Sequence, residues 1–581
     1  MNNNIRVFLW LGLVLAVWLN YNAWVVDYGP TGKVAGADTT RDSAANETKT
    51  GSLETSVPQA TQSASANSAA VGDTPAAVPS VATGDPATTA TATGPGLVRV
   101  RTDVLDVEIS LAGGELRGAE LLRYPVVKGG AERVELFNRD SPQTLYVLQT
   151  GLSGPANANR PTHLSLFTSP AQEFRLATGA TELRVPLTWT DPAGVVVTKT
   201  FIFKPGKYRI DVEYDVENRT ATPWAAASYA QILRFDPPVE RSMFDVQSYA
   251  FRGPAIYDGE KYRKLKVDKD EDRALQIDVQ GGWLAALQHH FVAAFVPNPK
   301  APYRITLRAE GREYLLSAVG PLTTVAPNTT GQFTETLFVG PKLQSELTTT
   351  GTELDRVADY GMLTLLARPL FWLLEQAHKL VGNWGFAIIL VTLMLKLIFY
   401  PLSEASGRSM AKMRALAPRI KNLQESYKDE REKLGRAMME LYQKEKINPV
   451  AGCLPMLVQM PVFIAFYWVL LESVEMRQAP FMLWINDLSA PDRLWLGFNL
   501  PYLQGLPVLT LLMGASMYLQ QKMTPTTVDP TQARIMQFLP VVFTFMFINF
   551  ASGLVLYWLV NNLLSILQQY LINRKTKTQQ A

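Results

Sequence analysis

One cation lies inside an apolar stretch of the sequence. Lys396 falls within Phe386–Leu402, which reads FAIILVTLMLKLIFYPL. A charged residue at the centre of a membrane helix costs roughly 2.5–3.5 kcal/mol on insertion scales, so such residues usually serve a function and face protein or water. Lys396 could attract carboxylates there, or act as a general base toward Ser403. Alternatively, its side chain extends to the nearby end of the helix and is solvated there.

Helical spacing places other polar residues on the same face as Lys396. In the second such segment, Leu554–Ile572, polar residues recur in the same way. Two polar faces in apolar helices predict a hydrated groove within the membrane. Gln459, in a third apolar segment, either lines this groove or forms a hydrogen bond between helices. The predicted groove residues are Thr392, Lys396, Tyr400, Gln459, Tyr557, Asn561 and Ser565, and Gln568 continues the second face.

Methionine and phenylalanine recur on two further apolar segments. Methionine surfaces repack easily against varied partners, which suits a sliding surface for unrelated apolar sequences. Ordinary packing between helices is the alternative. The candidate hydrophobic slide comprises Met456, Met460, Phe463, Phe543 and Met546.

Several classes of chemistry have no support in the sequence. Cys453 is the single cysteine, so a disulfide framework and a cysteine-based metal site are excluded. The four histidines have no metal-ligand spacing, and neither a phosphate-binding GxxxxGK[ST] motif nor a GxSxG elbow is present. We therefore predict no catalytic residues and no metal, and direct recognition of nucleic acid is not predicted either.

The polar first part of the chain divides into three regions. Residues 1–30 contain an apolar run, Arg6–Val26, long enough for a signal-anchor span. Residues 31–96 are rich in Ala, Thr, Ser, Pro and Gly and cannot order themselves by burial, which predicts a disordered tether. In residues 97–345, β-branched and aromatic runs alternate with turn residues, which predicts one large β-sandwich.

The apolar last part predicts a helical bundle. Residues 354–380 fit an interfacial amphipathic helix, and residues 381–573 a five-helix core that includes a hairpin at 403–448. With the anchor, this makes six membrane spans. The core spans are predicted at Gly382–Leu402, Pro449–Leu471, Leu506–Gln521, Gln537–Ala551 and Gly553–Ile572.

Basic residues set the predicted orientation. Eleven Lys and Arg residues lie in Ser403–Asn448, and more follow the last span in the tail, residues 574–581. Cytoplasmic loops are enriched in such residues, so both termini and the hairpin are predicted to be cytoplasmic and the β-domain to lie outside. The hairpin has an apolar stripe on each arm, typical of a cap over the groove. A basic hairpin resting on anionic lipid is the alternative.

The motifs of the last part resemble the YidC/Oxa1/Alb3 family of membrane-protein insertases, of the Gram-negative type. The resemblance covers about Asp359 to Asn573 and is highly specific. The matching runs are Val381–Phe386, Tyr400–Leu402, Ser409–Arg414, Asn448-Pro449 with Gly452-Cys453, Gln459–Phe463, Arg477–Phe481 with Trp484-Ile485, Lys522–Pro525 and Ser552–Tyr557.

The resemblance implies an insertase and chaperone of the bacterial inner membrane, without a cofactor. It implies a periplasmic β-supersandwich, and a groove open to cytosol and lipid but closed to the periplasm. The implied partners are nascent membrane proteins, the Sec translocon, the lipid bilayer and the ribosome, through the hairpin and the tail. The family usually has Arg at the position of Lys396; here the charge is kept, but the bidentate fork is lost.

Two other classes of function are weighed against the insertase. A transporter would also use an intramembrane cation, but would more often have internal repeats. A Ser/Lys membrane protease would pair Lys396 with Ser403, which lies two turns away, a poor separation for proton transfer. We therefore predict an insertase that works without covalent chemistry.

Overall fold

The computed structural model describes residues 53–59, 96–155, 158–238, 250–427, 430–445, 454–498, 503, 505–523 and 530–580. The predicted anchor at residues 1–30 and Cys453 lie outside these residues. So does the predicted tether, apart from 53–59 and Gly96.

Nineteen strands of the described chain form two large sheets. One sheet has eleven strands in the order β13-β16-β17-β10-β5-β3-β2-β1-β6, with β18 beside β10 and β4 beside β3. The other has eight, in the order β12-β11-β14-β15-β19-β9-β8-β7. The strands are β1 Leu97–Arg101, β2 Leu105–Ser110, β3 Leu116–Pro125, β4 Arg133–Glu135, β5 Tyr146–Ser153, β6 Glu173–Arg175, β7 Leu183–Thr190, β8 Val195–Phe203, β9 Arg209–Asn218, β10 Trp224–Phe235, β11 Gly253–Tyr257, β12 Tyr262–Lys264, β13 Gln276–Gln280, β14 Trp283–Leu287, β15 Phe291–Val296, β16 Pro302–Glu310, β17 Glu313–Val319, β18 Thr323–Val325 and β19 Thr329–Pro341.

Alternation of apolar and polar residues makes these sheets a sandwich. In β9, Ile210, Val212, Tyr214 and Val216 are buried while the residues between them are more exposed. Successive side chains of a strand point to opposite faces, so one face of each sheet enters a shared core. Each large apolar side chain buried there stabilises the fold by roughly 1.5–3 kcal/mol. The prediction of a β-rich domain at 97–345 agrees with this architecture, and we call β1–β19 the β-domain.

A short piece of the predicted tether packs against the β-domain. Leu53–Thr55 form a single 3-10 turn, and the Leu53 side chain is only 2% exposed. Leu53 contacts Val147, Leu233 and Leu315 on the 11-stranded sheet. The composition of the tether shows only that it cannot form a hydrophobic core of its own. It gives no information on whether a tether residue packs against another domain.

The rest of the chain is helical. Short 3-10 turns occur at Leu354–Val357, Gly361–Leu363 and Val474–Met476. The helices are α1 Asp270–Arg273 (within the β-domain), α2 Gln344–Thr350, α3 Thr364–Val381, α4 Trp384–Ile398, α5 Tyr400–Ala415, α6 Ala417–Ser426, α7 Arg431–Lys444, α8 Leu454–Glu472, α9 Val508–Met523, α10 Pro530–Phe547 and α11 Ser552–Gln580.

The turn between α3 and α4 explains part of the Val381–Phe386 motif. Gly382 ends α3 in the left-handed region (φ 68°), which a residue without Cβ adopts without strain. The Asn383 side chain then caps α4 by accepting hydrogen bonds from the backbone of Gly385 (2.9 Å) and Phe386 (3.2 Å). At Gly385 an added Cβ would lie 2.0 Å from a ring carbon of Phe481, so no side chain fits. α3 itself begins ten residues after the predicted start at Leu354, because two 3-10 turns come first.

The described helices differ in their ability to cross a membrane. Ser552–Ile572 is long and apolar enough by itself. Trp384–Ile398 and Tyr400–Ser409 would make a second crossing only as one bent unit, since they meet at 59°. Leu457–Glu472 and Gln537–Phe547 are apolar but shorter. Among the described residues, one or two helices therefore reach full length, and the count of six stays a prediction.

α6 and α7 lie against each other in antiparallel fashion. The start of α6 is joined to the end of α7 by an ion pair between Arg419 and Glu445 at 2.7 Å. Apolar residues from both helices and from the end of α5 form a small separate core of Met413, Leu416, Ile420, Met438, Leu441 and Tyr442. These are largely the residues of the two apolar stripes in the sequence.

The β-domain is joined to the helices at one end of α8. Three kinds of contact meet here: a histidine–carbonyl bond, a buried ion pair and bonds from the α8–α9 loop to the end of β3. The contacts are His289 Nε2 to Leu471 O (3.0 Å), Lys342 Nζ to Glu472 Oε2 (3.9 Å) and Arg477 Nη2 to Pro125 O (2.8 Å). The end of α8 at Glu472, which we call its outer end, is thereby fixed to the sandwich.

Candidate functional site

Four helices surround a pocket that is partly open at the surface. α4 and α5 supply one wall, and α8 and α11 supply the other. The lining residues are Thr392, Leu395, Lys396, Phe399, Leu402, Ser403, Gln459, Val462, Tyr557 and Asn561.

A chain of hydrogen bonds runs across this pocket. Lys396 Nζ donates to Ser565 Oγ at 2.8 Å, and Ser565 Oγ donates to the carbonyl of Asn561 at 2.7 Å. Gln459 Nε2 donates to Asn561 Oδ1 at 2.5 Å. These hydrogen bonds join α4, α8 and α11, which are far apart in the sequence. Ser565 and Asn561 are one helical turn apart, which gives both the same face of α11.

The bend between α4 and α5 divides the predicted polar face. Thr392 and Lys396 lie on α4 and Ser403 on α5, and all three line the pocket. Tyr400, at the bend, is not among the lining residues. The prediction extended one straight helix through residue 403, whereas the helix turns by 59° here. Thr392 is buried, and its hydroxyl donates to the carbonyl of Ile388 at 2.6 Å.

Aromatic packing holds Tyr557 in the wall of the pocket. The Tyr557 ring lies 4.7 Å from that of Phe466 and 6.0 Å from that of Phe463, between centroids. Tyr557 is buried, so its ring is fixed in the same wall as the polar side chains of Gln459 and Asn561.

The predicted slide residues fall into two groups. Met460 and Met546 are exposed, at 46% and 47%, on α8 and α10. Phe463 and Phe543 instead pack against Trp558, at 4.6 and 5.6 Å between ring centroids. The side chain of Met456 lies outside the described residues. Only part of the predicted set therefore offers a free apolar surface.

Four apolar lining residues were missed by the sequence analysis. They are Leu395, Phe399, Leu402 and Val462. The signal was available: Leu395 follows Thr392 by three residues, Phe399 follows Lys396 by three, and Val462 follows Gln459 by three. Residues at this spacing share a helix face.

The positive charge of Lys396 has no negatively charged partner in the part of the chain that the structure describes. No carboxylate there lies within ion-pair distance of Lys396; its bond is to the Ser565 hydroxyl. The described residues also contain no group of three or more His, Cys, Asp or Glu side chains that could hold a metal ion. The arrangement can bind an anionic or hydrogen-bonding group.

Comparisons with known proteins cover both halves of the chain. The family model described as "YidC periplasmic domain" matches residues 97–373, and that described as "60Kd inner membrane protein" matches residues 376–580. A "Membrane protein insertase YidC" from Nitrosococcus oceani is 42% identical over 576 residues, which cover 98% of this chain and 99% of the relative. One of the same name from Alkalilimnicola ehrlichii is 46% identical over 488 residues, covering 83% and 84%.

A solved structure described as an active YidC insertase with its first transmembrane domain resolved is 19% identical. It covers 83% of this chain and 94% of its own, with a TM-score of 0.36. The family assignment rests on the sequence relatives, whose identity extends over nearly the whole length. The chain belongs to the YidC family of membrane protein insertases.

Proposed function

We propose that this inner-membrane insertase, which is not an enzyme, accepts the polar translocated segment of a nascent membrane protein in the pocket around Lys396. The observation that carries the proposal is the bonded series of Lys396, Ser565, Asn561 and Gln459 inside apolar helices. Polar groups that merely stabilised the bundle would have no need of an adjoining open space.

Insertion poses a problem of desolvation. A polar segment must pass through hydrocarbon, where each unsatisfied backbone group costs several kcal/mol. A pocket with hydrogen-bonding groups and water would supply partners for part of that path. Lys396, which has no carboxylate beside it among the described residues, would attract acidic residues of the client's tail.

The apolar segment of the client would take a different route. Met460 and Met546 are exposed on the outer surfaces of α8 and α10, where they could hand the segment to lipid. Phe463 and Phe543 support this surface from within by packing on Trp558. Hydrophobic burial and the membrane potential would drive the transfer.

We further propose six spans with both termini in the cytoplasm. The β-domain and the outer end of α8 are in contact, so they share one side. The basic side chains of α6 and α7 belong to the opposite side; Arg436 is 80% exposed and paired only with Glu432, one helical turn away. Exposed cations of this kind suit contact with lipid headgroups or with the ribosome. The Sec translocon is the proposed partner for clients with large translocated domains.

Site-specific photocrosslinking to a stalled nascent chain would test this placement. A photoreactive residue at Asn561 should capture the client's polar tail, and one at Met460 should capture its apolar segment. Leu563 is a matched control: it lies on the same helix two residues from Asn561 and is 51% exposed on another face. Equal capture of the polar tail at Asn561 and Leu563 would contradict a groove at this position.

A further inference from the structure

The outer face of the 11-stranded sheet holds a surface, here called the cleft, that is separate from the pocket in the helices. In β10, even-numbered residues such as Ile232 face the sandwich core, whereas Ala227, Tyr229, Gln231 and Leu233 face the other way. Odd and even positions of a strand point to opposite faces. This outward row, with its neighbours on β5 and β17, forms the floor of the cleft.

The centre of this floor is polar and buried. Gln231 Nε2 donates to Gln149 Oε1 at 2.7 Å, and Gln149 Nε2 donates to Glu115 Oε2 at 2.9 Å. His163 lies 2.7 Å from the Tyr229 hydroxyl through Nδ1. Gln231 is fully buried, yet its Oε1 accepts no hydrogen bond from any described residue. Buried amides of this kind are costly unless a ligand or water completes their bonding.

Apolar patches flank the polar centre on both sides. Val147, Leu233 and Leu315 form one patch. Ala227, Tyr229 and Val319 form the other. An apolar–polar–apolar floor of this kind matches a short peptide with apolar side chains a few residues apart.

Residues 53–57 of this chain occupy the cleft in that way. Leu53 fills the first patch and Val57 packs on the second. Between them, the carbonyl of Glu54 meets His163 Nε2 at 3.1 Å, and the carbonyl of Ser56 accepts from Gln231 Nε2 at 3.3 Å. Both bonds go to backbone carbonyls, so they do not depend on the side chains of the segment.

Two cations at the rim select side chains of the segment. The Glu54 carboxylate pairs with Arg139, and Arg308 Nη1 donates to Ser56 Oγ at 2.7 Å. The segment adds no strand to the sheet: Leu53 and Val57 are its apolar anchors, and its bonds to the floor and rim include those to His163, Gln231, Arg139 and Arg308. Within residues 53–57 only Leu53 is fully buried. A peptide anchored by one fully buried side chain suits an exchangeable ligand, held in place by its covalent link to the same chain.

We infer that the outer face of the 11-stranded sheet is a peptide-binding cleft, and that the tether segment Leu53–Val57 is its built-in, exchangeable ligand. The cleft takes a short peptide that forms a turn at its first three residues, with leucine first, an acidic residue second, serine fourth and valine fifth. The insertase pocket plays no part in this recognition.

Fluorescence anisotropy on the whole chain in detergent micelles tests the inference. The probe is a fluorescein-labelled peptide with the sequence of residues 53–59, LETSVPQ. A chain in which residues 53–57 are replaced by glycine and serine should bind it saturably, at least tenfold more tightly than the intact chain. The intact chain binds weakly because its own segment competes at high effective concentration.

Single changes in the probe peptide and in the cleft test the individual contacts between them. Probe peptides carrying Leu53→Asp or Glu54→Lys should lose at least tenfold in affinity, and these changes cannot disturb folding of the chain. Arg308→Ala in the replaced chain should weaken binding severalfold. The inference is overturned if the replaced chain, with the thermal transition of its β-domain unchanged, fails to bind, or if intact and replaced chains bind equally. If the replaced chain lacks the thermal transition of the β-domain, the chain with the single change L53D is titrated with the probe instead. The inference is then overturned if that variant fails to bind the probe, or if it binds the probe no more tightly than the intact chain does.

Discussion

Replacing Lys396 gives the sharpest test of the proposed pocket. Lys396→Arg keeps a cation, Lys396→Ala removes it and Lys396→Glu reverses it. Lys396 is held by one hydrogen bond, to Ser565 at 2.8 Å, and by no carboxylate of the described residues. Its charge is therefore available to a client.

The size of the effect follows from Coulomb's law. Two unit charges 4 Å apart attract by about 1 kcal/mol in bulk water and by about 4 kcal/mol near a protein surface. Because the pocket is partly open, we expect a loss of about 1–2 kcal/mol in Lys396→Ala for a client with an acidic tail, which is about 5–30-fold in the rate of insertion. Lys396→Arg should retain activity, and Lys396→Glu should be worse than Lys396→Ala.

The assay is insertion into proteoliposomes with two clients that differ only in acidic or neutral tails. Ser565→Ala serves as a control, because it removes the hydrogen bond and leaves the charge; it should affect both clients slightly and equally. A lysine that extends to the membrane surface would tolerate alanine for every client. Full activity of Lys396→Ala on the acidic-tailed client refutes the reasoning, while the family assignment would stand. Loss of activity in Lys396→Arg would indicate proton transfer, since arginine stays protonated in proteins.

The other predictions concern the two domains separately. Deleting Leu97–Pro321 should leave insertion mostly intact, since the pocket residues all lie in the helices; complete loss in a stably expressed deletion would contradict this. Gly385→Ala should lower the free energy of unfolding by about 1–3 kcal/mol because its Cβ meets the Phe481 ring, while Gly435→Ala, inside α7 with nothing within 4 Å, should raise it by about 0.5–1 kcal/mol in the same thermal melt, since alanine favours a helix more than glycine does. Burial lowers the pKa of His163 from 6.5 to about 4. The unfolded chain then binds more protons below pH 6.5, so stability present above that pH is lost as the pH falls toward 4; by pH 5 the loss from His163 is about 2 kcal/mol, and it should be absent in His163→Gln.

The sequence carried enough information to place Lys396 and Ser565 on facing polar stripes, because both follow helical spacing inside apolar runs. It misplaced Tyr400, because the bend of 59° between α4 and α5 was not predicted from Pro401, which lies in the first turn of α5 and cannot continue the hydrogen bonding of α4. The sequence also gave no indication of Val462 and Phe399, although their spacing was regular. An apolar residue that lines a pocket cannot be distinguished in the sequence from the other apolar residues of the same helix.

The β-domain was predictable as a class and not as a topology. Alternation along β9 indicates a strand, but the pairing of β10 with both β5 and β17 joins residues that are 74 (Ala227 and Ser153) to 90 (Tyr229 and Val319) positions apart in the sequence. The packing of Leu53 on that sheet was unpredictable for the same reason. One leucine in a polar tract gives no periodic signal, and its partners come from three separate strands.

The position of α8 has a mechanical consequence. Its outer end is held to the β-domain through Leu471 and Glu472, while Gln459 at the inner end lines the pocket. At 1.5 Å per residue these points are about 20 Å apart along the helix, so a tilt of about 5° about the outer end displaces Gln459 by nearly 2 Å. A shift of that size breaks the bond between Gln459 and Asn561. We therefore expect α8 to act as a lever, through which a load on the sandwich outside the membrane widens or narrows the pocket within it.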